Sequence, residues 1–162
     1  MEAEEPISLL LARPDFDRWS ELLALIRTAF TYMDGVIDPP SSMHRLDERA
    51  LEEKAARETA IVAFSGNVVV GCAFLDDRGD RFYLGKLAVS PAHQGRGIGR
   101  LLMARCEALA RDADKTLIEL QTRVELTGNQ QAFARLGFVE TGRTAHEGYD
   151  RPTSVIMRKA LS

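Results

Sequence analysis

Leu84-Gly85-Lys86-Leu87-Ala88-Val89-Ser90-Pro91-Ala92-His93-Gln94-Gly95-Arg96-Gly97-Ile98-Gly99-Arg100-Leu101-Leu102-Met103 is the stretch whose reading decides the fold. Its branched apolar run stops at Ser90-Pro91, and Ile98, Leu101, Leu102, Arg105, Cys106 and Leu109 then follow at helical spacing. The pattern predicts a buried strand, a glycine-rich turn and an amphipathic helix. Such a turn favours an anion. Gly95, Gly97 and Gly99 let the backbone approach a ligand, and the first amides of the helix lack intrahelical partners where the helix dipole favours negative charge. A phosphate is the expected occupant. Two common phosphate motifs are excluded: there is no GxGxxG followed by an acidic residue roughly 20 positions on, and no Gly-Lys-Ser/Thr.

Outward from this stretch the chain reads as one domain, residues 1–162, with 45% hydrophobic and 28% charged residues and enough length for a sizeable core. A formal charge of −3 gives no overall basic field, so nucleic acid is not an expected partner. The acidic start Met1-Glu2-Ala3-Glu4-Glu5 is unlike a signal peptide, and no apolar run reaches the ~20 residues of a membrane span. The expected location is cytoplasmic, without membrane association. Cys72 and Cys106 sit in separate apolar contexts and read as core packing rather than a disulfide or zinc site. No His, Cys or Asp cluster has metal-ligand spacing.

Upstream, Ile7 to Ala12 reads as a strand. Trp19, Leu22, Leu23, Leu25, Ile26, Ala29 and Phe30 form the stripe of a helix with Asp15 or Asp17 as cap. A loop follows through Asp38-Pro39-Pro40, then a second helix capped by Asp47. Thr59–Phe64 and Val68–Leu75 are strands around the Ser65-Gly66-Asn67 turn, and Asp76 to Asp80 leads into the central strand, Arg81 to Ser90. Downstream of the glycine turn, a helix to about Ala113 is followed by a strand from Thr116 to Thr122, a crossover that implies parallel pairing. A short helix from Asn129 to Leu136 stops at Gly137, and the strands Phe138 to about Ala145 and around Val155 to Met157 complete the order β-α-α-β-β-β-α-β-α-β-β.

The segment Leu87-Ala88-Val89-Ser90-Pro91 followed by Gln94-x-x-Gly97-x-Gly99 resembles the acetyl-CoA-binding segment of the GNAT superfamily of N-acyltransferases, and the element order resembles that fold over nearly the whole chain. The resemblance implies an α/β (α+β) fold: a mixed, mainly antiparallel sheet with helices on both faces and a splayed parallel strand pair. It implies acetyl-CoA as acyl donor, with Leu87, Ala88, Val89, Gln94, Gly95, Arg96, Gly97, Ile98, Gly99 and Arg100 lining the diphosphate and pantetheine. Arg135 is expected at the same end of the cofactor. Asn129 is a candidate cofactor contact, or simply the cap of its helix.

Two side chains that many family members use are replaced. The strand glutamate that serves as base, four residues before Leu87, is Tyr83 here. The tyrosine that protonates the leaving thiolate, four residues before Gly137, is Phe133, expected to pack against pantetheine. A protonated amine must lose its proton before attack, since an unperturbed lysine-type amine has a pKa of about 10.4. Glu119 in the crossover strand and Tyr83 are the expected catalytic pair, acting around a shared water, with His146 in reserve on the turn before the last strand. Sequence leaves open whether Glu119 faces substrate or solvent.

The resemblance implies transfer of an acetyl group to an amine by direct attack in a ternary complex, and the primary amine of a small molecule is the expected acceptor. Asp34 and Asp38 could draw a cationic amine, or belong to a solvated loop. Protein N-terminal or lysine acetylation and non-catalytic CoA sensing are the alternatives. A homodimer is allowed but not required.

Overall fold

The computed structural model describes residues 5–162; the first four residues of the acidic start lie outside them. A seven-stranded sheet carries the molecule, with strands β1 (Ile7–Leu11), β2 (Thr59–Ser65), β3 (Val68–Asp77), β4 (Arg81–Val89), β5 (Leu117–Arg123), β6 (Val139–Thr144) and β7 (Ser154–Ala160) in spatial order β1-β2-β3-β4-β5-β7-β6. Every pair is antiparallel except β4 with β5. The helices are α1 (Trp19–Phe30), α2 (Glu48–Arg57), α3 (Ile98–Asp112) and α4 (Thr127–Arg135). This is the order and mixed sheet expected from sequence, because periodicity and turn residues at each boundary agree.

Burial on the two faces shows how the layers close. Ile98, Leu102, Met103 and Cys106 of α3 pack with Ile61, Leu84, Ile118 and Leu120, and Phe133 of α4 and Leu136 at its C-cap lie against the same cluster. Leu22, Leu23, Leu25 and Ile26 of α1 and Leu51 of α2 pack with Val62, Cys72, Phe74 and Ala88 on the opposite face. Both cysteines are free and buried, and burial pushes each thiol up to about 12, which keeps them inert packing groups.

Some local expectations are corrected. Neither Asp15 nor Asp17 caps α1: the helix starts at Trp19, Arg18 holds the N-cap position without a side-chain cap bond, and Arg18 instead pairs with Glu21 at 2.6 Å. Asp47 does cap α2, accepting from the Ala50 amide at 2.8 Å. Asn129 is not the cap of α4, because that helix begins two residues earlier with Leu126 in the cap position.

Two features shape the sheet centre. The register of β3 on β4 shifts between Cys72 and Phe74, opposite Lys86, which adopts φ +48°. A left-handed residue other than glycine in mid-strand is a bulge and locally increases the bend. The parallel ladder of β4 and β5 joins only Arg81–Tyr83 to Leu117–Glu119, although β4 continues to Val89 and β5 to Arg123. The strands therefore diverge, as the splayed pair required.

Gly71 sets how closely α3 docks. A Cβ there would lie 3.0 Å from Ile98 Cγ2, 3.1 Å from Leu102 Cδ1 and 3.2 Å from the Ala88 carbonyl. Gly71→Val should therefore overpack this contact and cost about 1–3 kcal/mol, read as a lower urea midpoint with an unchanged slope. A midpoint equal to wild type would show that the helix can move off the sheet without loss.

Candidate active site

The divergence of β4 and β5 opens a cavity of about 700 Å³ that spans both sides of the strand pair. Its walls include Leu87, Val89, Gln94 and Gly99 at the glycine turn, and Ala132 and Phe133 of α4 with Leu136 at its C-cap beside it. On the other side stand Tyr83, Lys86 and Lys54, the β5 residues Gln121, Thr122 and Arg123, the 30–42 segment through Phe30, Tyr32, Met33 and Ile37, and His146.

The turn is built as an anion cradle. Gly95 and Gly97 have φ of +84° and +75°, Gly97 occupies the N-cap of α3 in the left-handed region, and a Cβ on either would meet nothing within 4 Å. Their surfaces are open to a ligand, and the amides at the start of α3 have no carbonyl one turn earlier to bond. Gly99 lies in the first turn, where an added Cβ would meet only Val89 Cγ2 at 3.9 Å. A diphosphate at these amides and an extended thioester arm along Leu87 to Val89 fit this arrangement.

The arginines divide. Arg96 Nη1 donates to Ser65 Oγ at 3.0 Å and Nη2 to the Glu5 carbonyl, so it fastens the turn to the β2–β3 hairpin and the start of the chain. Arg100 is exposed on the first turn of α3, and Arg135 is exposed in the last turn of α4, outside the cavity wall. Phe133 lines the cavity and meets Phe138 edge to face at 5.9 Å. Asn129 also lines it, donating from Nδ2 to the Tyr32 hydroxyl at 2.8 Å.

The three expected catalytic residues occupy different surroundings. Glu119, 5% exposed, pairs with Arg158 Nε at 2.7 Å, Arg81 Nε at 3.4 Å and Arg78 Nη1 at 3.9 Å, and it is not part of the cavity wall. Tyr83 is its register partner across the short parallel ladder. The Arg78 guanidinium lies 3.9 Å from the Tyr83 ring centroid, and burial raises the phenol's pKa despite that positive charge and a bond to the Gln121 backbone. Tyr83 and Glu119 are thus adjacent, but only the tyrosine reaches the cavity.

His146 stands apart from that pair. Its backbone amide donates to Thr153 Oγ1 at 2.9 Å, and its ring Nδ1 shares a hydrogen bond with the same hydroxyl. Thr153 is fully buried, so the imidazole is held in one orientation. Burial, helped by the positive charge of Arg123, lowers the His146 pKa from its ordinary value and outweighs Glu125. The shift favours the unprotonated ring, the form that can accept a proton.

The segment between α1 and α2 roofs the cavity. Ile37 and Met43 are buried. The Asp38 amide donates to Glu125 Oε2 at 3.1 Å, Arg123 Nη2 donates to the Pro40 carbonyl at 3.3 Å, and the Tyr149 hydroxyl and Arg151 reach the Asp38 carboxylate at 2.6 and 3.1 Å. Asp34 pairs with His44 at 2.8 Å. These carboxylates are engaged in ties that close the roof and neither lines the cavity, which removes their expected role in drawing a cationic amine. Lys86, Arg123 and Tyr32 were not singled out by sequence. The one available signal was Lys86 itself, a charge in the middle of an otherwise apolar strand.

The chain matches the Acetyltransferase (GNAT) family over residues 19–138. It is 32% identical over 129 residues, 78% of this chain and 82% of the other, to a protein of Azospirillum brasilense described as an IAA acetyltransferase. Its fold is that of the PaiA N-acetyltransferase from Thermoplasma acidophilum, crystallised in complex with coenzyme A, with a TM-score of 0.76 at 15% identity over 95% of this chain and 99% of that one. An acetyltransferase from Streptococcus agalactiae gives 0.75 at 21% identity over 96% and 98%. With the glycine cradle and the splayed strands in place, the chain belongs to the GNAT acetyltransferase family and is an acyltransferase whose acyl donor is acetyl-CoA.

Proposed function

We propose that the protein transfers the acetyl group of acetyl-CoA to the primary amine of a small molecule by direct attack in a ternary complex. The observation that carries this reading is the continuity of one roofed cavity from Gly99 and Val89, at the donor turn, to His146 and Tyr32 on the far side of the splayed strands. Its volume of about 700 Å³ falls in the range of about 300–1,000 Å³ typical of small-ligand sites. A roof tied down at Asp38 and Pro40 suits a compact acceptor better than a polypeptide.

In this reading the chain's residues divide the work. The turn amides from Gly95 to Arg100 hold the diphosphate, and β4 from Leu87 to Val89 aligns the arm so that the acyl carbon sits where β4 and β5 separate. Asn129 contributes indirectly by fixing Tyr32, and Phe133 gives the arm an apolar wall. His146 takes the proton of the attacking amine. With Nδ1–H assigned as the donor to Thr153, Nε2 is left as the acceptor. Tyr83 positions the acceptor, and Glu119 serves as the counter-ion that holds Arg78, Arg81 and Arg158.

The donor half is tested by Gly99→Leu. The added Cβ meets only Val89 Cγ2 at 3.9 Å, and the side chain beyond it projects where the thioester arm would lie, so acetyl-CoA affinity measured by calorimetry should fall at least tenfold while the melting temperature stays within a few degrees. Full affinity in this variant would displace the arm from α3.

The proton acceptor is tested by rate against pH. Because the folded-state pKa of His146 lies below the ordinary value, kcat/KM should fall as pH drops through a limb below about 6.5. His146→Gln should remove that limb and lower kcat by about 10²–10⁴. Glu119→Gln should retain the limb and instead lose about 1–3 kcal/mol of stability, since three arginines lose a buried counter-charge. If Glu119→Gln abolishes the limb and His146→Gln leaves it, the base is Glu119.

A further inference from the structure

We propose that the acceptor is an amino-carboxylate with an apolar body, and that Lys86 and Arg123 recognise its carboxylate. This rests on the small-molecule reading above. The cavity wall contains three cations, Lys54, Lys86 and Arg123, and among the described residues no aspartate or glutamate. A site lined this way disfavours a purely cationic amine and rewards an acceptor that carries negative charge beside its amine.

The cations are not equivalent. Lys54 is already paired with Glu58 at 2.7 Å. Lys86 forms no ion pair among the described residues, and burial together with the nearby Lys54 charge disfavours its ammonium, an effect that Glu58 only partly offsets. An anion at Lys86 would relieve both penalties. The left-handed conformation at the bulge, φ +48°, is an unfavourable setting for a lysine. The bulge also keeps this side chain on the face covered by α1 and α2: Leu87 and Val89 pack toward α3, whereas the surroundings of Lys86 are Lys54, Cys72 and Glu58.

Arg123 lies on that same face. In β5, Ile118 and Leu120 point into the α3-side core, so Glu119, Gln121 and Arg123 share the other face. Glu125 and Asp38 are near Arg123, yet its Nη1 is buried with no hydrogen-bond partner among the described residues. A guanidinium with a buried unpaired edge in a cavity wall suits a carboxylate oxygen. The donor's phosphates do not account for these two cations, because the glycine turn packs against the sheet from the α3 side. The apolar body follows from Phe30, Met33 and Ile37 on the roof.

The test compares the common L-amino acids with their decarboxylated amines, led by L-phenylalanine against 2-phenylethylamine and L-leucine against 3-methylbutylamine, with release of the CoA thiol as readout. For the best pair, kcat/KM should be at least tenfold higher for the carboxylated member. Lys86→Met and Arg123→Met should each shrink that ratio at least fivefold, Lys86→Arg should keep most of it, and acetyl-CoA affinity should be maintained in all three as a check on folding. Equal or better turnover of the decarboxylated amines, or a ratio that survives both methionine substitutions, overturns the inference alone. Turnover of neither class by a protein that binds acetyl-CoA overturns the small-molecule reading and this inference with it.

Discussion

Beyond Tyr83 and Glu119 the parallel ladder stops, and the rest of the site depends on that separation. A sheet loses backbone hydrogen bonds wherever adjacent strands part, and an edge left unpaired in the interior is costly unless something else satisfies it. In the proposed scheme an extended thioester arm takes the place that a continuing β5 would have occupied. The bulge opposite Lys86 bends β4 away, while β5 is held by an unbroken antiparallel ladder of seven pairs with β7. One strand carries the bulge and its neighbour an unbroken ladder, so the gap opens at a defined place. Gly71 completes the geometry by letting α3 sit close on β3 and β4, which brings the glycine turn to the mouth of the gap.

The two faces of the sheet have different electrostatic tasks as a result. The α3 face is apolar at its centre through Leu84, Ile118, Leu120 and Met157, and the row of amides at the helix start is where it can receive a ligand's negative charge. The α1/α2 face carries polar groups: Tyr83, Lys86, Glu119, Gln121 and Arg123. Glu119 shows how such a row is kept stable. A carboxylate with 5% exposure would be expensive alone, but three arginines drawn from the β3–β4 turn, β4 and β7 surround it. Each arginine is part-exposed, so the cluster gains less from attraction than a fully buried one would, while desolvating fewer charges. Its consequence is mechanical, since it locks β4 to β5 and β7 just before the strands part.

Element order was legible in the sequence because hydrophobic period, turn residues and breakers agree at almost every boundary. The splay was not; it entered through the resemblance to a known family. Periodicity reports which face a residue takes but not where a ladder ends, and the bulge at Lys86 depends on backbone φ that no residue type announces. The donor side was legible as a turn with three glycines. The acceptor side was not, because its geometry comes from contacts distant in sequence: Asp38 with Tyr149 and Arg151, Asn129 with Tyr32, and Glu119 with Arg158. Asp34 and Asp38 illustrate the limit. Their charge suggested attraction for an amine, and only the tertiary partners reveal that it is already used to close the roof.

Tyr83 and Phe133 stand where the family resemblance led to the expectation of proton-transfer groups, and the proposed scheme moves that chemistry to His146 rather than deleting it. A proton acceptor must be reachable from the attacking nitrogen and unprotonated before reaction. Tyr83 fails the second condition as a base, because burial raises its pKa and leaves it a phenol that can only donate or position. Glu119 fails the first, being outside the cavity and engaged by arginine. In that scheme His146 meets both: it lines the cavity, burial and then Arg123 lower its pKa and so favour the unprotonated ring, and the buried Thr153 hydroxyl fixes its orientation. Arg123 therefore has two effects in the proposed scheme, since the charge that attracts an acceptor carboxylate also keeps the imidazole ready to take the acceptor's proton. A carboxylate bound at Arg123 would weaken the second effect by shielding His146 from that charge, raising the imidazole's proton affinity as the acceptor arrives.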